Sequence, residues 1–103
     1  MLDDAISRAY YAAYLSAYAV LCLLEESPKI HDGLLHAFGL RLVKTCIVDK
    51  KYAKILNRLR RMREESDYAA FVYIDEDEAK ELVMEARKFV SKMEEIISRF
   101  EGV

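Results

Sequence analysis

The sequence predicts an all-α fold, an up-and-down bundle of about four helices forming a single domain over residues 1–103. Apolar residues recur every three or four positions along nearly the whole chain, which is the period of an amphipathic helix. Only three glycines and one proline punctuate the chain, far fewer than the turns of a β-sheet protein require. Capping residues stand before several of the apolar stretches. A chain of this length buries enough apolar surface to fold without disulfides.

The first helix is predicted over residues 3–26, with Asp3 and Asp4 stabilising its positive end. Arg8 precedes a run without any charged residue, 9–24. Helical spacing divides the side chains of this region between two faces, one with Arg8, Tyr11, Leu15 and Tyr18 and the other with Tyr10, Tyr14, Ala17, Leu21 and Leu24. Because both faces need cover, we expect this helix to lie centrally and to contribute to a homodimer interface.

A second, shorter helix is predicted over residues 29–45. Ser27 can cap its first turn, and Pro28 suits the first helical position because a helix leaves that backbone N–H without a partner. Its apolar residues recur at spacings of three to four, from Ile30 to Val43. Two glycines within it weaken it by up to about 1 kcal/mol each relative to alanine.

The third and fourth helices each begin at an acidic cap. Asp49 is expected to cap a helix over 49–67, whose apolar stripe lies opposite a strongly basic face. Asp75, with a glutamate three residues later, forms a variant of the capping box before the clearest amphipathic helix, over 75–100. An apolar connector, 69–74, joins the two helices.

Several functional classes are disfavoured by the sequence. The uncharged run 9–24 is shorter than the ~20 residues of a transmembrane helix. Cys22 and Cys46 occur without a CxxC spacing or a secretory segment, which indicates a reducing, cytoplasmic setting. His31 and His36 are five residues apart and so lie on diverging helix faces, and no metal-binding or phosphate-binding motif is present. We therefore expect no metal, no cofactor and no membrane partner.

Positive charge is concentrated in the third helix, although the net charge of the chain is only −2. The cations occur there without an acidic residue among them: Lys50, Lys51, Lys54, Arg58, Arg60, Arg61 and Arg63. On helical spacing, Lys54, Arg58 and Arg61 follow one stripe. This stripe is either a solvated face opposite the apolar one or a surface for the phosphates of RNA or a nucleotide, or for an acidic protein.

A set of short motifs runs through the chain in order: Ser7-Arg8-Ala9-Tyr10-Tyr11-Ala12, His31-x-Gly33 with Phe38, Val43-Lys44-Thr45, the run 55–63, and Ser66-Asp67-Tyr68 before an acidic helix start. In order and spacing this set resembles the small HEPN-domain proteins, specifically the short prokaryotic branch encoded beside minimal nucleotidyltransferases. The resemblance covers nearly the whole chain, and the combined set is far more specific than any one motif.

The resemblance implies a HEPN-like helical bundle that commonly dimerises and serves as one half of a two-gene, toxin–antitoxin-like module. In the wider superfamily an arginine and a nearby histidine form an RNA-cleaving site, usually across a dimer. Leu15 stands here where relatives carry that histidine, and leucine cannot transfer a proton. Relatives also begin with an additional helix that this sequence lacks, so we expect the apolar surface it would cover to find another partner.

The leading hypothesis is therefore a binding module for a nucleotidyltransferase partner and for nucleotide or RNA. Its candidate residues are Arg8, Tyr11, Lys54, Arg58, Arg60, Arg61, Arg63, Asp67 and Tyr68. Arg8 and Arg63 would supply positive charge, the two tyrosines hydrogen bonds or stacking, and Asp67 would orient an arginine. An alternative is an RNase toxin that uses Arg8 with a histidine such as His31. A third hypothesis is a structural adaptor whose basic stripe is only solvated.

Overall fold

The described part of the chain is built from helices alone, which confirms the predicted all-α fold. The computed structural model describes the backbone of residues 2–24, 31–68 and 75–100, and side chains over 4–24, 33–64 and 75–100. Its α-helices are α1 (Leu2–Leu23), α2 (His31–Phe38), α3 (Lys50–Tyr68) and α4 (Glu76–Phe100). Helix α1 packs against the other three and most extensively against α4, so it is central as expected.

Both predicted acidic caps are formed. The Lys51 backbone N–H donates to Asp49 Oδ1 at 2.9 Å, and the Glu78 backbone N–H donates to Asp75 Oδ1 at 2.7 Å. Each bond satisfies a backbone donor that the first turn of a helix leaves unpaired. Helices α3 and α4 therefore begin one residue after their caps, within one residue of the predicted starts.

Helix α1 ends at Leu23, before the predicted boundary at residue 26. The Leu24 backbone N–H is shared between the carbonyl oxygens of Val20, at 3.2 Å, and Leu21, at 3.0 Å. The shorter bond is the tighter type that closes many helix ends. The predicted Ser27 cap and Pro28 restart lie outside the described residues, as does the connector 69–74.

The predicted regular helix over residues 29–45 is only partly correct. Helix α2 ends at Phe38, and the chain continues through one wider π-helical segment, Gly39–Val43, in which the Lys44 backbone N–H donates to the Gly39 carbonyl at 2.9 Å. The turn that follows this segment ends at Cys46, whose φ of 62° is left-handed. Sequence reasoning missed this stop because glycine or asparagine, not cysteine, usually occupies that conformation.

Replacing Cys46 with glycine should stabilise the domain by about 0.5–1 kcal/mol, because a side chain is strained at this φ and glycine is not. Cys46 is exposed, so the substitution removes no core contact. Thermal unfolding followed by circular dichroism measures the gain. Cys46→Ala is the matched control: it also removes the thiol but keeps Cβ, so it should give no comparable gain. An equal gain in both variants would mean that backbone strain is not the cause.

An aromatic cluster joins α2, α3 and α4 in the core. The Phe89 ring stacks on Phe38 with centroids 5.5 Å apart and meets the Tyr52 ring at 6.3 Å. Tyr52 precedes Arg58 on α3, whereas Phe89 follows Glu85, the carboxylate that Arg58 bonds on α4, so the two helices are antiparallel. None of the described helices is long and apolar enough to cross a lipid bilayer.

Candidate functional site

The tyrosines of α1 form a ladder of rings along the helix. Tyr10 is fully buried, and its ring centroid lies 5.4 Å from that of Tyr11 and 6.0 Å from that of Tyr14. Tyr14 in turn stacks on Tyr18 at 6.3 Å. Side chains three or four residues apart meet on a helix surface, and that spacing brings most of these rings together. The ladder gives one edge of α1 an aromatic surface against α3.

Arg63 of α3 packs on this aromatic surface. Its guanidinium carbon lies 4.9 Å from the Tyr11 ring centroid and 5.8 Å from that of Tyr10, within the range of a cation–π interaction. Its Nε atom is shielded from solvent. Arg60, on the preceding turn of α3, donates a hydrogen bond to Glu64 at 3.2 Å. The fold therefore brings together Tyr11 and Arg63, two residues that the sequence proposed for one site.

Tyr10 lies beneath this cluster and stays protonated. Burial raises the pKa of its hydroxyl to about 12, because the phenolate would lose its hydration. The positive charges of Arg60 and Arg63 act in the opposite direction and do not cancel the effect. Tyr10 is therefore a structural group at neutral pH and not a general base.

The stability of the domain should fall between pH 10 and pH 12 in part because of Tyr10. In the unfolded chain this tyrosine ionises near its ordinary pKa of 10.0, whereas the folded protein holds the proton until about 12. The folded state then binds more protons, so the free energy of unfolding decreases as pH rises. Urea unfolding across this range should show a shallower decrease for Tyr10→Phe than for the unsubstituted protein. Parallel curves would contradict the assignment.

Arg8 does not join the tyrosine and Arg63 cluster. Instead it lines a groove between α1 and α4 together with Arg87. Its side chain is exposed and forms no ion pair with another described residue. The sequence did not single out Arg87, because a cation among the polar positions of an amphipathic helix looks like any solvated residue. Only the packing of α1 on α4 relates the two arginines.

The arginines of α3 and Lys54 fall into three groups according to what their side chains contact. Arg58 Nη1 donates to Glu81 at 3.1 Å and to Glu85 at 2.9 Å, which ties α3 to α4. The hydrogen bond that Arg58 donates to Glu81 is the main cause of the raised pKa of Arg58. Arg60 and Arg63 face α1. Lys54 and Arg61 are exposed and form no ion pair with another described residue. The predicted stripe of Lys54, Arg58 and Arg61 therefore contains one structural member and two that are available to a ligand.

A cleft of about 590 Å³ at the start of α3 extends this basic surface. Lys50, Lys51 and Lys92 line it. Lys92 is held by Glu95 at 3.4 Å, whereas Lys50 and Lys51 form no ion pair within the described part of the chain. The amines available to an anion therefore continue from the cleft along the outer side of α3.

One face of α1, the open face, is exposed and largely uncharged. It consists of exposed residues on one side of the helix: Tyr11, Ala12, Leu15, Ala19, Cys22 and Leu23. Leu15 is 63% exposed and Leu23 is 42% exposed. Arg8 stands at the N-terminal end of this face, as its helical spacing predicts. A contiguous apolar face of this kind usually marks an interaction surface.

Three predicted site residues have side chains outside the described set. His31 begins α2, and Asp67 and Tyr68 end α3. Their roles as catalytic, orienting or stacking groups stay predictions. Among the residues whose side chains are described, no group of three His, Cys, Asp or Glu side chains is arranged to hold a metal ion.

The described helices form an all-α bundle with an exposed arginine at the head of an otherwise uncharged face of its central helix. The chain belongs to the HEPN-domain family, whose model, described as HEPN domain, matches residues 1–96. This confirms the resemblance to HEPN-domain proteins that the motifs indicated. The search found no significantly similar solved structure.

Three curated relatives are similar over most of the chain. "Putative toxin MJ0605" of Methanocaldococcus jannaschii is 33% identical over 91% of this chain and 69% of its own length. A "UPF0332 protein" of Thermotoga maritima is 33% identical, over 93% of this chain and 73% of its own length. "Putative toxin MJ0142" of M. jannaschii is 32% identical, over 87% of this chain and 61% of its own length. The chain is therefore similar to prokaryotic proteins, two of which carry the name "Putative toxin".

Proposed function

We propose that this protein is a homodimeric HEPN-type binding module, paired with a minimal nucleotidyltransferase in a two-gene, toxin–antitoxin-like system, and that it binds RNA or a nucleotide without cleaving it. The family membership and the toxin names of two relatives support the system. The open face of α1 supports the dimer, because its exposed residues beyond Arg8 are uncharged and two such surfaces bury each other without removing a charge from water.

One observation supports binding without cleavage most strongly. Leu15 stands two turns after Arg8 on the same open face and is 63% exposed, at the place where RNA-cleaving relatives carry histidine. Arg8 can still stabilise a phosphate, but a leucine provides no proton acceptor or donor. The positive charge that an RNA-cleaving site needs is therefore present at Arg8, whereas its acid–base group is missing at Leu15.

The exposed cations of α3 support an anionic ligand. Lys54 and Arg61 have no carboxylate partner among the described residues, and the amines of Lys50 and Lys51 extend the same surface into the cleft. Phosphates bound by such residues release counterions, so binding should weaken steeply as salt rises. An acidic surface of the nucleotidyltransferase would meet the same requirement.

A nuclease assay on the purified protein tests this proposal. We expect no RNA cleavage above that of a mock preparation. Leu15→His should create cleavage that Arg8→Ala then abolishes, because a positioned acid–base group contributes about 10²–10⁴-fold. Co-expression with the adjacent nucleotidyltransferase reading frame should yield a complex on size exclusion, and its absence would contradict the partner assignment.

The alternative of an RNase toxin keeps support from the names of two relatives and from the exposed Arg8. In that function Arg8 acts with a histidine from elsewhere, such as His31 of the same or a second subunit. The assay separates the two functions. Strong cleavage by the unsubstituted protein, lost in both Arg8→Ala and His31→Ala, would favour the toxin.

A further inference from the structure

A groove between α1 and α4 is lined by apolar residues and remains open to solvent. Its volume is about 620 Å³. Its floor consists of small and branched apolar residues of both helices: Ala5, Ala9, Ala12, Val83, Ala86 and Val90. On each helix these residues recur at intervals of three or four, so they form a continuous stripe. Small side chains on the floor allow the backbone of another element to approach closely.

The groove continues along α4 into a neighbouring cleft of about 400 Å³. Ala5, Val83 and Arg87 line both cavities, so the two form one surface. On α4 this surface reaches from Glu76 to Ser91, which is about 22 Å at 1.5 Å per residue. That length equals about four turns of α-helix. The shape therefore suits a helix better than a compact small molecule.

Two arginines line this groove, and no carboxylate lines it beside them. Arg8 of α1 and Arg87 of α4 are both exposed, and neither forms an ion pair with another described residue. At the far end of the surface, by contrast, Lys80 lies 3.5 Å from Glu76. An apolar floor flanked by available positive charge is complementary to a ligand that has one apolar side and carboxylates beside it.

We propose that this groove is the docking site for an amphipathic α-helix of a partner protein, whose apolar stripe covers the floor and whose flanking carboxylates pair with Arg8 and Arg87. A helix bound in a groove presents apolar anchors at the same three- and four-residue spacing that the floor shows. Arginine pairs with carboxylates through two parallel hydrogen bonds, which fixes the orientation of the bound helix. The inference deepens the proposed function and rests on it for the identity of that partner as the nucleotidyltransferase.

A second copy of this chain is a poorer occupant of the groove. In a two-fold symmetric contact each surface meets itself, so two copies of Arg8 and of Arg87 would be brought together. Opposed positive charges cost affinity. The open face of α1 adjoins the groove at Arg8 and Ala12 but is otherwise uncharged, and it is the better surface for self-association. The two surfaces therefore take different occupants.

A pair of synthetic helical peptides tests the groove. Each has about 15 residues, the length of four turns, with leucines along one stripe, and the peptides differ only in whether glutamates or lysines flank that stripe. Fluorescence anisotropy measures binding to the full chain. The glutamate peptide should bind about tenfold more tightly than the lysine peptide, since two exposed charge pairs contribute up to about 1 kcal/mol each.

Charge-reversed variants connect this preference to the two arginines. Arg8→Glu with Arg87→Glu should reverse the preference, so that the lysine peptide binds more tightly. Arg99→Glu is the matched control, because Arg99 is an exposed arginine of the same helix that does not line the groove, and it should leave the preference unchanged. Circular dichroism establishes that each variant is folded.

The docking site would be overturned by no preference between the peptides, or by the same effect from the double reversal and from Arg99→Glu. Self-association lost in the double reversal would instead assign the groove to a second copy and also overturn the proposal. The nucleotidyltransferase complex is measured separately. If the peptide preference holds but no such complex forms, the proposed nucleotidyltransferase partner is wrong, and the groove remains a docking site for an amphipathic helix. If the complex forms equally well with the double reversal, the groove is not the docking site of the nucleotidyltransferase.

Discussion

Leu15→Glu should convert a dimer into a monomer at micromolar concentration. Leu15 is 63% exposed at the middle of the open face of α1, where the proposed dimer would bury it. The substitution places a carboxylate without a partner in each half of the interface, and burying an unpaired charge costs several kcal/mol. The dissociation constant of the dimer should therefore rise by about a hundredfold or more. Sedimentation velocity over a concentration series measures the change.

Met84→Glu is the matched control for this substitution. Met84 is 69% exposed and lies on α4, away from the open face of α1. The same charge introduced there should leave the sedimentation of the dimer unchanged. Equal effects of the two substitutions, or a monomeric unsubstituted protein at tens of micromolar, would show that the open face is not the self-association surface.

Phe89→Ala should remove a large part of the stability of the fold. Phe89 is fully buried and stacks on Phe38 while it contacts Tyr52, so it connects three helices. Truncating a buried phenylalanine costs about 3–5 kcal/mol, and a domain of this size has only about 5–15 kcal/mol in total. Thermal unfolding should show a Tm at least about 12 °C lower.

Phe100→Ala makes the same chemical change at a half-exposed position near the end of the same helix. It should lower the Tm by no more than a few degrees, because the ring loses few contacts. If Phe89→Ala were equally mild, the aromatic cluster would not be the centre of the core, and a different packing of α2 against α4 would have to be considered.

Local physical chemistry explains why the helix starts were predictable. Asp49 and Asp75 accept backbone hydrogen bonds two or three residues further along the chain, an interaction between near neighbours that a sequence displays directly. The left-handed Cys46 was not predictable, because its conformation follows from how the chain leaves the π-helical segment Gly39–Val43 and reaches the start of α3. Because a cysteine disfavours the left-handed conformation, its presence in the sequence gives no local sign that the chain adopts this conformation there.

The sequence by itself determined the all-helical fold, the family, the uncharged face of α1 and the absence of a histidine at Leu15, because periodicity and residue identity are properties of the chain alone. Only the tertiary structure decided which basic residues of α3 form structural contacts and which remain exposed, because a helical period does not say which neighbour each side chain meets. In the folded protein Arg58 bonds two glutamates of α4, and Arg63 packs on two tyrosines of α1. The tertiary structure also brought Arg8 and Arg87 to one groove, because two residues far apart in sequence become neighbours only when their helices pack.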